Sequence, residues 1–259
     1  MVEGDLSAGT VEVTDDKFLG GKLNLLQPKK GYRAGIDAVM LAAAVPAQAG
    51  ETVFEAGIGF AAAALCLAAR VDGVTVVGIE IDGHTAELAA ENARRNGLGE
   101  RIRVARADVS TPGEALRQAH LGPGSFDHAY ANPPYHAEAR VRAPRDASRA
   151  RAHLRAPDDL EAWARLLVAA VRPGGTVSLI LPAAAIGEVF ALFTRRLGAI
   201  MLFPLFPRSG GAASRIIVQG VKGSRAASRL LPGLVLHGED GGFTDEAEAI
   251  LRHGGALPL

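Results

Sequence analysis

The sequence has few cysteines, few aromatic residues and no excess of charge of either sign. Of its 259 residues only Cys66 is a cysteine, so no disulfide can form within the chain, and this favours a reducing cytoplasmic environment. Cys66 lies in an apolar run, which predicts a role in core packing. Basic and acidic residues number 28 each, so contact with a nucleic acid must come from a local basic patch.

Long hydrophobic runs are also missing. The longest, residues 38–47, contains Pro46 and is too short to span a bilayer, and the first ten residues carry acids where a secretory signal would be apolar. These features predict a soluble, cytoplasmic protein with no membrane partner. No metal site is predicted, and the oligomeric state, monomer or dimer, stays open.

Short β-branched runs alternate along the chain with longer stretches rich in alanine and leucine, the pattern of successive βαβ units. Strands are predicted at residues 52–55, 74–80, 102–105, 128–131 and 176–181. Helices are predicted at residues 61–69, 84–96, 158–171 and 183–197. Two further strands, at 200–205 and 215–221, have no full helix between them and are expected to pair as an antiparallel hairpin.

This order predicts an α/β, Rossmann-like fold. Its seven-stranded sheet is mostly parallel with one antiparallel strand, and helices cover both faces. With 48% hydrophobic residues the chain can bury one sizeable core, so residues 1–259 are expected to form one domain. Residues 51–222 would be its core, 1–50 an N-terminal extension, and 223–259 a tail packed on the core with a helix N-capped by Thr244.

A glycine turn follows the first predicted core strand. Gly57 and Gly59 let the backbone turn tightly and approach a ligand at a helix N-terminus, although such turns serve many α/β proteins. Glu80 ends the next strand, where a carboxylate can accept both hydroxyl protons of an adenosine ribose. Asp108, after the third strand, can accept the adenine amino group, or it is simply a loop acid. If the ligand is a cofactor that carries both an adenosine and a methionine moiety, Glu55 is the natural partner for its methionine ammonium group.

The most specific local signal is the sequence Asn132-Pro133-Pro134-Tyr135 after the fourth core strand. A planar amino nitrogen is a poor nucleophile because its lone pair is delocalised, and two acceptors aimed at its N–H groups localise that pair. The Asn132 side chain and the Pro133 carbonyl can be those acceptors in a loop that Pro134 stiffens, and Tyr135 offers a stacking face. The loop, unless it is an ordinary turn, predicts methyl transfer from S-adenosylmethionine (SAM) to such a nitrogen.

Basic residues crowd the segment after this loop. A flap that grips RNA phosphates has this composition, and so does a solvated loop. The candidate RNA-binding residues are Arg140, Arg142, Arg145, Arg149 and Arg151. A second group either extends this patch or, as we expect, is scattered surface charge: Arg208, Arg215, Lys222, Arg225 and Arg229.

Together these residues resemble the bacterial tRNA adenine-N6 methyltransferases that modify the adenine 3′ of the anticodon in a valine tRNA. The resemblance includes the segments 31–42, 234–237 and 243–244 besides the motifs above. It implies a class I methyltransferase fold, SAM as cofactor, tRNA as partner and adenine N6 as target. It also implies that Asp37 N-caps a helix beside the SAM pocket.

One residue departs from the pattern of that family. Ala61 stands where the family usually has a third glycine, and an alanine with positive φ would cost about 1 kcal/mol. If Ala61 is already helical, the cost is almost nothing. The substitution is expected to leave the fold intact and to affect only SAM affinity.

Other functions share parts of these motifs. A protein glutamine N5-methyltransferase meets the same electronic problem, but normally has a larger N-terminal domain. An rRNA guanine-N2 methyltransferase is a second rival. A nicotinamide-dependent oxidoreductase would lack the Asn132 loop and the hairpin, and a SAM-binding protein without catalysis would not need Asn132.

Overall fold

The computed structural model describes residues 12–31, 33–118, 122–134, 160–257 and 259. The strands are β1 (Val13–Phe18), β2 (Leu23–Pro28), β3 (Thr52–Ala56), β4 (Thr75–Glu80), β5 (Ile102–Arg106), β6 (Phe126–Ala131), β7 (Val171–Pro182), β8 (Leu197–Arg208), β9 (Arg215–Lys222), β10 (Arg229–Leu230) and β11 (Leu234–His237). The helices are α1 (Ile36–Ala44), α2 (Ala62–Arg70), α3 (Gly83–Arg95), α4 (Pro112–Gln118), α5 (Leu160–Ala170), α6 (Ile186–Thr194) and α7 (Asp245–Leu251).

The main sheet has the order β10-β8-β9-β7-β6-β3-β4-β5, and β11 also pairs with β8. Strands β7, β6, β3, β4 and β5 are parallel, whereas β9 is antiparallel to both β7 and β8. The predicted mostly parallel sheet with one reversed strand is therefore confirmed. The predicted count of seven strands is two short, because β10 and β11 extend the sheet beyond β8.

Helices cover both faces of this sheet and bury two hydrophobic clusters. One cluster contains buried residues of α1, α2 and α3, and the other contains buried residues of α4, α5 and α6. Cys66 of α2 is 3% exposed within the first cluster, which confirms its packing role. Because both faces are covered, strands such as β3 are almost entirely buried.

The predicted helix 183–197 is too long. Its first residues form a 3₁₀ turn at Ala183–Ala185, α6 ends at Thr194, and β8 already begins at Leu197. Gly198, which directly follows the predicted helix, is part of β8, and a Cβ there would lie 2.2 Å from the Ser224 carbonyl oxygen. This glycine is needed for close approach of two chain segments.

The chain ends contact the core. Strands β1 and β2 form an antiparallel hairpin, and Leu257 N–H donates to the Ala43 carbonyl at 2.8 Å. Thr244 accepts from Ala247 N–H as the N-cap of α7, as predicted. None of the helices in the described part of the chain has the length and hydrophobicity needed to cross a bilayer.

Candidate active site

The glycine turn connects β3 to α2 and has no room for a side chain at Gly57. Gly57 and Gly59 adopt φ of +65° and +54°, a conformation that glycine tolerates without strain. A Cβ on Gly57 would also lie 2.5 Å from Trp163 Cη2. The side chain of Ile58 packs against Gly78 of β4, where an added Cβ would lie only 2.3 Å from Ile58 Cδ1. The turn therefore lies tightly over the ends of β3 and β4.

Ala61 takes the costly one of the two expected conformations. It has φ +66° and ψ +21° as the N-cap residue of α2, which begins at Ala62. The predicted helix start at residue 61 is wrong by one position, and the left-handed alanine costs about 1 kcal/mol relative to glycine. Contacts with other residues must therefore offset this cost and hold the turn in its observed conformation.

Glu80 joins the end of β4 to the glycine turn. Its Oε2 accepts from Gly59 N–H at 3.1 Å, and its Oε1 accepts from Ile81 and Asp82 N–H at 2.9 and 3.2 Å. The carboxylate is half-buried at the carboxyl edge of the sheet. Asp82 N-caps α3 by accepting from Thr85 N–H at 2.8 Å, so it serves the helix.

Asp108 follows β5 at the same edge. The Ala107 N–H donates to the Glu80 carbonyl at 2.9 Å, so the chain entering Asp108 lies beside the end of β4. Asp108 Oδ1 accepts from Ser110 N–H at 2.8 Å, and its other carboxylate oxygen accepts no hydrogen bond from the residues that the structure describes.

Glu55 is buried in β3, 4% exposed. Burial raises the pKa of Glu55 to about 8, although the Tyr130 hydroxyl donates to its Oε2 at 2.9 Å. Tyr130 lies in register with Glu55 on the neighbouring strand β6. Sequence reasoning missed Tyr130. A comparison of in-register positions on adjacent predicted strands is the signal that could have found it.

The Asn132-Pro133-Pro134 segment begins immediately after β6, with Asn132 half-buried, Pro133 buried and Pro134 exposed. Strand β6 pairs with β3, whereas the chain after β3 continues to β4 on the other side. The loops after β3 and β6 therefore flank the point where the strand order reverses, which is where ligands bind in open α/β sheets. Tyr135, Arg140, Arg142, Arg145, Arg149 and Arg151 lie outside the described residues.

The resemblance implies that Asp37 is the N-cap of α1, but the structure shows that it is not. Gly35 holds that position, and Asp37 lies in the first turn, where its Oδ2 accepts from Arg215 Nε at 2.8 Å. Arg215 is in register with Pro182 at the carboxyl end of β7. The first turn of α1 therefore lies at the same edge of the sheet as the glycine turn.

The second basic group divides between the edges of the sheet. Arg208 and Arg215 lie at the carboxyl edge, at the end of β8 and the start of β9. At the opposite edge Lys222 donates to the Val168 and Val171 carbonyls, both at 2.7 Å. The group does not form one patch, as expected.

The sheet order, the reversed strand and the glycine turn, with the carboxylates of Glu80 and Asp108 at the same edge, define a class I methyltransferase fold. The predicted O-methyltransferase Atu636 from Agrobacterium tumefaciens has a crystal structure that matches with a TM-score of 0.71 and 27% identity, over 86% of this chain and 98% of that chain. No protein-family model matches.

Curated relatives narrow this class. A tRNA1(Val) (adenine(37)-N6)-methyltransferase of Aeromonas hydrophila is 28% identical over 219 residues, 82% of this chain and 86% of the relative. One of Tolumonas auensis is 30% identical over 180 residues, 68% of this chain and 70% of the relative. A release factor glutamine methyltransferase of Chlorobaculum tepidum is 31% identical over 144 residues, but these are 53% of this chain and 48% of the relative. The chain belongs to the tRNA1(Val) (adenine(37)-N6)-methyltransferase family.

Proposed function

We propose that this protein transfers the methyl group of SAM to adenine N6 in tRNA, at the adenine 3′ of the anticodon of a valine tRNA, in the cytoplasm. The observation that carries this proposal is the position of Asn132, Pro133 and Pro134 directly after β6, beside the turn of Gly57 and Gly59. Membership of the family supports the choice of tRNA and adenine.

The residues around the glycine turn fit SAM. The missing side chains of Gly57 and Gly59 allow the backbone to approach the methionine end. Glu55 can pair with the methionine ammonium, which would favour its ionised form. Glu80 already accepts three backbone N–H groups, but a carboxylate has about four acceptor positions, so it can still accept from a ribose hydroxyl. Asp108 can accept from the adenine amino group.

The chemistry proposed for the Asn132 loop is positioning and polarisation. SAM, when bound, supplies an electrophilic methyl on a sulfonium. The Asn132 side-chain oxygen and the Pro133 carbonyl accept the two N–H groups of the target, which localises the nitrogen lone pair for in-line attack. Tyr135 stacks on the extruded base. The extra proton of the methylated nitrogen leaves to solvent, so no strong general base is needed.

The basic segment completes the proposal. Arg140, Arg142, Arg145, Arg149 and Arg151 follow the catalytic loop in sequence, and guanidinium groups bind phosphates in two-pronged geometry. We assign them to the phosphates around the target nucleotide.

The direct test supplies methyl-labelled SAM with unmodified tRNA, and in parallel with a release factor protein and ribosomal RNA. Nucleosides and peptides are then identified by mass spectrometry. We expect the label in N6-methyladenosine from tRNA, and incorporation slower by about 100-fold or more with an Asn132→Ala control. Label in glutamine or in N2-methylguanosine would overturn the proposal.

A further inference from the structure

Two asparagines, Asn92 in α3 and Asn96 at its C-cap, take the place of a third strand beside the N-terminal hairpin. Asn96 accepts from Asn24 N–H at 2.9 Å and donates to the Asn24 carbonyl at 2.7 Å. Asn92, one turn earlier on the same helix face, does the same at Leu26, with distances of 2.7 and 2.8 Å. The side-chain amides therefore complete the hydrogen bonds of the β2 edge that faces away from β1.

Asn92 also reaches the glycine turn. Its Nδ2 donates to the Phe60 carbonyl at 3.0 Å, and its side chain is fully buried. The Phe60 carbonyl belongs to the peptide that precedes Ala61, the residue in the strained left-handed conformation. Holding this carbonyl fixes the peptide plane, which restricts the φ that Ala61 can adopt. Asn96 makes no bond to the turn among the described residues, since its second donor bond goes to the Asn92 carbonyl at 2.8 Å.

We propose that Asn92 is a positioning residue that holds the glycine turn in its cofactor-binding shape while it anchors the N-terminal hairpin, so that hairpin docking and cofactor binding stabilise each other. The inference rests on the proposed function in one respect, namely that the turn of Gly57 and Gly59 binds SAM.

The coupling follows from the shared amide group. Loss of Asn92 from the turn removes its hydrogen bond to the Phe60 carbonyl, and loss from β2 removes its two bonds to Leu26, and both changes are unfavourable. A ligand that orders the turn therefore favours the Asn92 rotamer that also holds Leu26. Linkage is reciprocal, so hairpin docking must favour ligand binding by the same factor.

The first test needs no substitution. Amide hydrogen exchange of β2 is measured in the unmodified protein with and without saturating SAM. We expect protection of the Leu26 N–H to rise by about tenfold, a common size for coupling between two sites. Exchange of β2 that SAM leaves unchanged would overturn the coupling.

The second test compares Asn92→Ala with the matched variant Asn96→Ala, which loosens the same hairpin from the same helix. We expect Asn92→Ala to weaken SAM binding by about tenfold or more and to raise KM for SAM more than it lowers kcat. Asn96→Ala should leave SAM affinity within about twofold while β2 exchanges faster. Equal SAM affinities in the two variants would overturn the positioning role.

A third variant separates positioning from general loss of stability. Glycine accepts a left-handed conformation without strain, so the turn should depend less on Asn92 in the Ala61→Gly background. There Asn92→Ala should cost about threefold or less in SAM affinity, against about tenfold with Ala61 present. Equal costs in the two backgrounds would contradict the inference.

These outcomes differ from a failure of the proposed function. If the unmodified protein binds no SAM in calorimetry, the proposed function fails. If it binds SAM and Asn92→Ala binds it equally well, only the inference about Asn92 fails.

Discussion

Polar residues lie near the start of strand β6 and directly after its end, and their environments differ. At its start, Asp127 accepts from Thr52 N–H at 2.8 Å and from Arg172 Nε at 2.7 Å. His128 lies 2.7 Å from the Thr176 hydroxyl through Nδ1. Asp127 and His128 resemble an acid/base pair in sequence, but the structure partners both within the protein. Both residues therefore stabilise the start of the strand.

At the other end of β6, Asn132 is half-buried and its side chain makes no hydrogen bond with any of the described residues. Polar groups near a protein interior are normally satisfied by a partner. A group at an open sheet edge that keeps its hydrogen-bonding capacity can be completed by a ligand. The difference between the two ends therefore separates residues that stabilise the fold from residues available for chemistry.

The largest expected effect tests this separation directly. Asn132→Ala should reduce the methyl-transfer rate by about 100-fold or more, because one preorganised acceptor for the transition state is lost, while SAM affinity barely changes. Single-turnover kinetics on tRNA and calorimetry with SAM measure the two quantities. Asp127→Ala, at the other end of the strand, should lower the melting temperature and leave kcat close to the parental value.

Near-parental turnover in Asn132→Ala would contradict the active-site assignment, because the loop would then be only a turn. A rate loss of similar size in Asp127→Ala would contradict the comparison between the two ends.

Glu80 gives the next largest effect. Glu80→Ala should weaken SAM binding by roughly 1.5 to 3 kcal/mol, the scale of a lost hydrogen bond to a charged group, as measured by calorimetry. Asp82→Ala is the control, since it removes an N-cap worth about 1 kcal/mol of stability two residues away and should leave SAM affinity unchanged. Unchanged SAM affinity in Glu80→Ala would contradict the ribose assignment.

The fold and the cluster of carboxylates could be predicted from sequence because both follow from local rules. Alternating strand and helix patterns give a parallel sheet, and the carboxyl ends of parallel strands meet at one edge. Glu80 ends one strand and Asp108 follows the next, so their shared edge needed no knowledge of distant contacts.

The missed features depend on partners far apart in sequence. Tyr130 bonds to Glu55 across 75 residues, Asn92 to Leu26 across 66, and Arg215 to Asp37 across 178. The N-cap prediction for Asp37 is wrong because α1 begins at Ile36 with Gly35 as its N-cap, and Asp37 pairs with Arg215 instead. The left-handed Ala61 violates a local preference, and the peptide before it is held from both sides, by the bond from Asn92 to the Phe60 carbonyl and by the Ala61 N–H, which donates to the Ile58 carbonyl at 2.9 Å.

Glu55, which Tyr130 of β6 contacts, is expected to make the stability of the protein depend on pH. Its pKa is raised by burial to about 8 in the folded protein, from an ordinary value of 4.5. The folded state therefore keeps a proton that the unfolded state loses, and stability falls as pH rises from about 4.5 through about 8. Glu55→Gln should remove this dependence, so that parental stability falls by about 1 kcal/mol more per pH unit between pH 5 and 8. Urea unfolding across this range measures the slopes, and parallel slopes would contradict the assignment.

The smallest expected effect concerns the two edges of the sheet as surfaces for tRNA. Arg149 and Arg151 follow the catalytic loop in sequence. Two exposed arginines lie instead at the edge of the sheet opposite the glycine turn. Arg195 follows the end of α6, and Arg225 lies beside Gly198 of β8. If Arg149 and Arg151 hold phosphates, replacing both with glutamine should weaken tRNA binding and reduce the slope of log Kd against log salt by about 1 to 2, since each phosphate contact contributes about 0.7 to 0.9. SAM affinity should not change.

The same replacement of Arg195 and Arg225 removes equal charge from the other edge and should leave the slope as it is. Equal slopes in both double variants and the parent would favour a solvated basic segment, and a loss of slope in the Arg195 and Arg225 variant would mean that tRNA approaches the opposite edge of the sheet.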